Sequence, residues 1–240
     1  MAAPNRKLLP MQAHPLDNPI WSALTGAHAT FAVRHGEAGR YPPDMTSLMG
    51  LRAPSAEAFA DLAVLLGPGG VAPLFLAEPI DLPAPFVTVY SRDIAQMHCP
   101  VPLPQSNDAI PPGVRPLVQA DVVAMEALVE LTKPGPFGPR TIDFGDYFGI
   151  EADGVLVAMA GTRLRPEGAT EISAVCTHPD HQGHGYGRTL VGQVGRMIQA
   201  RGETAFLHVK TDNQAAVRAY RALGFIQRRV IHLRVGRVPD

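Results

Sequence analysis

The sequence predicts an α/β protein of the α+β kind, with helices packed on a mixed sheet, and three observations carry that expectation. Residues 148–151, 155–163 and 171–177 are apolar runs joined by Asp153-Gly154 and by Pro166-Glu167-Gly168, turn chemistry that folds three strands into an antiparallel meander. Residues 187–201 and 214–223 then show helical periodicity, with strand-like runs at 205–210 and 225–235 after them in turn. The first hundred residues add short strand-like runs at 30–33, 71–77 and 86–90 around an amphipathic helix at 55–66.

Each element has a local cause. Ser55 offers a hydroxyl to the free N–H groups of the helix it precedes. Residues 113–117 read as a strand, and Asp121 as the cap of a helix whose Val122, Met125, Leu128, Val129 and Thr132 share one face until Pro134-Gly135-Pro136 ends it. Gly224 stops the helix at 214–223. Between the halves, Pro100, Pro102, Pro104, Pro111 and Pro112 flank the polar run Gln105-Ser106-Asn107-Asp108, the composition of a semi-rigid connector. Two units are therefore expected: an N-terminal α/β half over 1–110 with no assigned role, and a second over 113–240, where the chemistry concentrates. Their similar element types leave room for a diverged duplication.

Composition excludes several function classes. At 240 residues and 46% hydrophobic, the chain can bury a substantial core. With 21 Lys+Arg against 22 Asp+Glu, its formal charge of −1 gives no electrostatic footprint for nucleic acid or an anionic membrane surface. The apolar runs fall short of the roughly 20 residues that span a bilayer, and Pro10 cuts off Leu8-Leu9 before a signal-peptide core can form. Two cysteines, Cys99 and Cys176, make neither a disulfide framework nor a zinc spacing, which fits a reducing cytoplasm and predicts no metal.

The strand at 171–177 runs through His178-Pro179-Asp180-His181 into Gln182-Gly183-His184-Gly185-Tyr186-Gly187-Arg188 and then a helix. Glycines let a backbone approach phosphate closely, and the free N–H groups and positive dipole end of the helix's first turn point at the negative charge. A diphosphate suits such a site. A Rossmann-type nucleotide site fits less well: the glycines run Gly183-x-Gly185-x-Gly187 instead of G-x-G-x-x-G, and no ribose-binding acid follows the next strand.

Gln182-x-x-Gly185-x-Gly187 resembles the acetyl-CoA signature of the GNAT acyltransferases. The run from Glu171 to Pro179 before it, and Asn213-x-x-Ala216-x-x-x-Tyr220-x-x-x-Gly224-Phe225 after it, resemble the family's flanking motifs, nearest in wording to the FR47-like branch. The resemblance covers about residues 113–240. It implies an N-acetyltransferase using acetyl-CoA as acyl donor and a small-molecule or peptide amine as acceptor. It also implies that the first strand of the motif splays at a bulge and pairs with pantetheine through Val175 and Thr177, with Cys176 between them. Backbone N–H groups of Gly183, His184, Gly185, Tyr186, Gly187 and Arg188 then hold the pyrophosphate, beside Gln182. An amide near Val175 polarises the thioester carbonyl, Asn213 contacts the cofactor, and Tyr220 protonates the departing thiolate. Glu171 takes the position of a general base.

Other readings of these residues stay open. Asn213 is also a favoured helix cap, Tyr220 a ring that can simply fill core, and Glu171 a strand-end carboxylate of the kind that usually faces water. His178, His181 and His184 read as solvated side chains beside a diphosphate, and Cys176 as an inert strand thiol. Arg34, His35, Arg40 and Tyr41 receive no role beyond a solvated surface. A non-catalytic acyl-CoA sensor would keep the glycine loop but have no need of Tyr220. Finally, the chain has one strand-like run after Phe225 where the family has a hairpin, so the N-terminal half is expected to replace the missing strand and cover the sheet edge.

Overall fold

The structure, a computed structural model, describes residues 14–104 and 113–240; the polar run of the connector, Pro111, Pro112 and the Leu8-Leu9 pair lie outside the described residues. The N-terminal half forms α1 (Pro19–Thr25), β1 (Val33–His35), β2 (Ala38–Arg40), β3 (Met49–Leu51), α2 (Ala56–Leu66), β4 (Val71–Leu76) and β5 (Val87–Cys99). The C-terminal half forms β6 (Val114–Leu117), α3 (Val122–Thr132), β7 (Tyr147–Ala152), β8 (Val155–Thr162), β9 (Ala169–Thr177), α4 (Tyr186–Ala200), β10 (Thr204–Lys210), α5 (Gln214–Ala222) and β11 (Ile226–Arg237). The strands join in one mixed sheet in the order β1-β2-β3-β4-β11-β5-β10-β9-β8-β7-β6. Only β3 with β4 and β10 with β9 are parallel among these pairs.

Local chemistry explains most boundaries. The Ser55 hydroxyl accepts from the Ala58 N–H and starts α2. Asp153 and Gly154 take φ 52° and 76°, the left-handed pair of a tight hairpin turn between β7 and β8. Asp121 behaves differently from expectation: its carboxylate accepts from the Val118 N–H and from Arg115, and does not cap α3.

Several N-terminal elements depart from the pattern reading, among them the short strands β2 and β3, which it does not mark. Thr30 and Phe31 are turn, with Phe31 and Ala32 packed beside α1, and the strand begins only at Val33. Helix α1, which starts at Pro19, carries no long periodicity that pattern alone reveals. The expected strand at 86–90 is thirteen residues long, because β5 is paired on both sides and ladder bonds carry its polar Asp93, Gln96 and His98. Nor is Tyr41 a surface residue: it is buried, with its hydroxyl against His28 Nδ1 at 3.0 Å.

Helices cover both faces of the sheet. On one, Leu190, Val191, Val194 and Ile198 of α4 and Val217 of α5 pack on Ala205, Leu207 and Val209. Burying each large side chain contributes about 1.5–3 kcal/mol. On the other, Leu16, Ile20 and Leu24 close over Phe206, while Met125 and Leu128 of α3 pack on Met159 and Cys176. Asp17 ties the N-terminal segment to β11 through Arg228 and Arg229, each at 2.7 Å.

The N-terminal half supplies β5 inside the sheet, and its β4 covers the far edge of β11, where such cover was expected, with β3, β2 and β1 beyond it. β5 lies between β10 and β11, pairing Ala205↔Cys99 through Lys210↔Ile94 on one side and Ile226↔His98 through Arg237↔Val87 on the other. Without it, both strands lose a neighbour and present unpaired N–H and C=O groups. Residues 113–240 expressed alone should therefore fail to give a stable monomer, with aggregation or loss of cooperative thermal unfolding by circular dichroism; a folded, monomeric fragment would show that β5 is dispensable.

Candidate active site

The site begins where two parallel strands part. β10 and β9 pair at Thr204↔Ala169, Ala205↔Thr170 and Phe206↔Glu171, and then diverge. On its other side β9 shifts register against β8 between Met159↔Cys176 and Gly161↔Ser173, so that Ala174 and Val175 stand opposite the single residue Ala160. Ala174 takes φ 53° at this bulge, a left-handed conformation that redirects the chain. The gap opens into a cleft of about 690 Å³ lined by Ser173, Val175, Thr177 and Gln182 on one side, His208, Lys210, Asn213 and Tyr220 on the other.

Glu171 sits at the vertex, fully buried. Arg163 donates to both its oxygens, Nη2 to Oε1 at 2.8 Å and Nε to Oε2 at 2.9 Å, and the Leu164 N–H approaches Oε2 at 3.4 Å. From across the split, His208 Nδ1 meets Oε1 at 2.8 Å. The tautomer follows from the next contacts: Arg228 donates to Gln96 Oε1, which turns the Gln96 amide nitrogen toward Leu16 C=O and His208 Nε2. His208 Nε2 then accepts, and Nδ1–H donates to Glu171. Burial alone pushes the Glu171 carboxyl up, but the charge and hydrogen bonds of Arg163, with those of His208, outweigh it and hold it down at about 2. The exposed strand-end reading is thereby excluded.

The glycine loop ends in α4, with Gly185 as its N-cap at φ 79° and Gly183 at φ 83°. Neither glycine's missing Cβ would meet an atom within 4 Å, so the loop borders open space. The first helical bond runs from Thr189 N–H to Gly185 C=O, leaving the N–H groups of Tyr186, Gly187 and Arg188 directed out of the helix end. His184 stacks on Tyr186 with centroids 5.4 Å apart, and His178 Nδ1 accepts from the Asp180 N–H.

Tyr220 lies on α5, 8% exposed, and burial pushes its phenol up to about 12. Asn213 does cap α5, its side chain accepting from the Ala216 N–H at 3.1 Å, while it also lines the cleft. The Cys176 thiol is buried against α3 and pushed up to about 11, the environment of an inert thiol. Pattern reading missed Arg163, His208, Gln96 and Arg92 as site residues. Arg92 and Gln96 lie on β5, His208 on β10 and Arg163 just beyond β8, and within each segment they read only as isolated polar positions.

A family model described as FR47-like protein matches residues 147–234. A crystal structure of a putative acetyltransferase from the GNAT family of Novosphingobium aromaticivorans is 34% identical, covers 95% of this chain and all of its own, and superposes with a TM-score of 0.87. Among curated relatives, the N-alpha-acetyltransferase RimI of Mycobacterium tuberculosis is 39% identical over 82 residues, 33% of this chain and 51% of that protein. The mycothiol acetyltransferase of Saccharopolyspora erythraea is 33% identical over 82 residues, 34% of this chain and 27% of that protein. The chain thus spans about half or less of the length of these curated relatives. The fold is of the GNAT type. The chain belongs to the GNAT family.

The vertex pair makes stability depend on pH with a definite sign. The folded Glu171 carboxyl, lowered from 4.5 to about 2, stabilises the fold fully above about pH 4.5, and that contribution is lost as pH falls toward 2. Urea titrations should therefore show wild type losing more stability than Glu171→Gln between pH 5 and 3 (a window of about two units). At neutral pH, Arg163→Ala should lose about 3–5 kcal/mol by leaving a buried carboxylate unpaired.

Proposed function

We propose that this protein is an N-acetyltransferase that moves an acetyl group from acetyl-CoA directly to a primary amine of a small molecule or peptide. The observation that carries the reading is the split between β9 and β10 opening beside the N-terminus of α4. The names of both curated relatives, an N-alpha-acetyltransferase and a mycothiol acetyltransferase, point the same way.

The residues at the split fit an acyl-CoA. Past Phe206↔Glu171, the facing backbones of β9 and β10 make no ladder bonds to each other, so Val175 and Thr177 have edge groups available to the amides of a pantetheine arm. The N–H groups from Gly183 to Arg188 suit the pyrophosphate, and open space at Gly183 and Gly185 lets it approach. When bound, acetyl-CoA supplies the acyl group as a thioester.

The chain's own residues then perform three tasks. The Val175 N–H, turned by the bulge, is assigned to the thioester oxygen, a type of donor worth roughly 3 kcal/mol in the transition state. Tyr220, with its phenol near 12, is fully protonated at neutral pH and is assigned as the acid that gives the leaving sulfur its proton. Glu171 is assigned to positioning. Expected as a base, it has both oxygens engaged and a carboxyl near 2, which makes it a weak proton acceptor at neutral pH. The amine's proton therefore passes to solvent.

Thiol release from acetyl-CoA across pools of amino acids, polyamines, aminoglycosides and peptides tests this reading. Tyr220→Phe should lower kcat by roughly 10²-fold at unchanged acetyl-CoA affinity. Gly185→Glu should abolish binding, since it puts a negative, Cβ-bearing residue at φ 79° where phosphate would lie. A wild-type protein that binds CoA but releases no thiol with any pool would be a sensor, and one that binds no CoA would refute the proposal.

A further inference from the structure

The acceptor side of the cleft deepens the acetyl-transfer reading and rests on it. The pairs Leu233↔Arg92 and Val235↔Tyr90 put these four side chains on one face of the sheet, and Leu233↔Phe75 brings β4 onto the same face. Across β5, His208↔Gln96 and Lys210↔Ile94 show that His208 and Lys210 share it. This is the face on which Phe75 packs edge-on to His208, with centroids 4.8 Å apart, and it leads to the vertex. It is therefore a half-buried apolar shelf, supplied by β4 and β5 of the N-terminal half together with β11.

Two cations border that shelf. Arg92 and Lys210 are diagonal cross-strand neighbours, since Lys210 pairs with Ile94, two residues from Arg92; such positions lie roughly 7–8 Å apart. Both line the cleft. Arg92 has a loose partner in Asp212, at 3.6 Å and with 72% of its side chain exposed, a type of surface pair that contributes little. Among the described residues, the one carboxylate of the lining, Glu171, is held by Arg163. Two like charges beside an apolar wall repel each other and attract an anion, and a guanidinium matches a carboxylate with two parallel hydrogen bonds.

We infer that the acceptor is a small amine carrying both an apolar body and a carboxylate: the carboxylate lies on Arg92 with Lys210 beside it, the apolar part on Phe75 and Leu233. The amine is thereby directed to the vertex. Its nitrogen bonds to the acetyl carbon as the carbon–sulfur bond breaks; the sulfur leaves with the electron pair and takes a proton from Tyr220, which regains one from solvent after the amine has released its own. The products are an N-acetylated carboxylate and CoA. A polycationic amine finds the opposite, repulsive environment.

The phosphates of acetyl-CoA are the other anions these cations could attract, so the test separates the two. With the full-length protein and saturating acetyl-CoA, thiol release is compared for L-phenylalanine, L-phenylalaninamide, 2-phenylethylamine and spermidine, using wild type, Arg92→Lys and Arg92→Gln. Calorimetry of N-acetyl-L-phenylalanine and of CoA runs alongside. Wild type should favour phenylalanine over its amide in kcat/KM by roughly tenfold or more, the loss expected for one charge-assisted contact. Arg92→Gln should erase the preference and weaken N-acetylphenylalanine binding at unchanged CoA affinity, while Arg92→Lys should retain part of it. Equal use of the carboxylate-free amines, or weakened CoA binding in Arg92→Gln with an unchanged preference, overturns the inference and leaves acetyl transfer standing. No release with any amine also overturns it, and CoA binding in the same samples then decides whether the transfer reading falls with it.

Discussion

The arrangement depends on keeping two parallel strands apart. β9 and β10 pair for three residues and then forgo further ladder bonds, although each unpaired backbone group must find water or a ligand instead. The bulge at Ala174 and Val175 turns β9 away, and the Glu171 carboxylate fixes where the turning starts by bridging Arg163, just beyond β8, to His208 on β10. A buried ion pair adds little net stability over an apolar substitute, but it holds one geometry because its partners tolerate no other. Its value here is positional: the vertex stays at Phe206↔Glu171, and everything above it remains an open cleft.

The second constraint is the insertion of β5. One thirteen-residue strand closes the sheet between β10 and β11, carries Gln96 to orient His208, and presents Tyr90, Arg92 and Ile94 to the cleft. Sheet integrity, vertex electrostatics and the acceptor wall thus share one element from the N-terminal half. Changes on that strand's cleft face can alter the wall while the opposite face, with Ala95, Met97 and Cys99 in the core, preserves the fold.

What the sequence made legible follows the range of the forces involved. The glycine loop, the cap at Ser55, the hairpin at Asp153-Gly154 and the amphipathic α4 are local, encoded within a few residues, and their positions hold to within about two residues. Where long-range contacts decide, the pattern was silent. Nothing near Asp93 or His98 signals that β5 continues, because its strand neighbours lie more than a hundred residues downstream. Likewise Glu171 reads as an ordinary strand-end glutamate until Arg163 and His208 are brought to it by the meander and by β10.

Composition needs the same distinction. A formal charge of −1 describes the field far from the molecule, where salt screens it over about 10 Å, and says nothing of a cleft a few ångströms wide. Among the described residues, the lining of that cleft carries Arg92, Lys133, Arg163 and Lys210 against the one carboxylate of Glu171. Helix α4 adds further positive potential through backbone N–H groups, which no count of charged side chains includes. A nearly neutral chain can therefore present a cleft lined mostly by positive charge, because charge acts here through position.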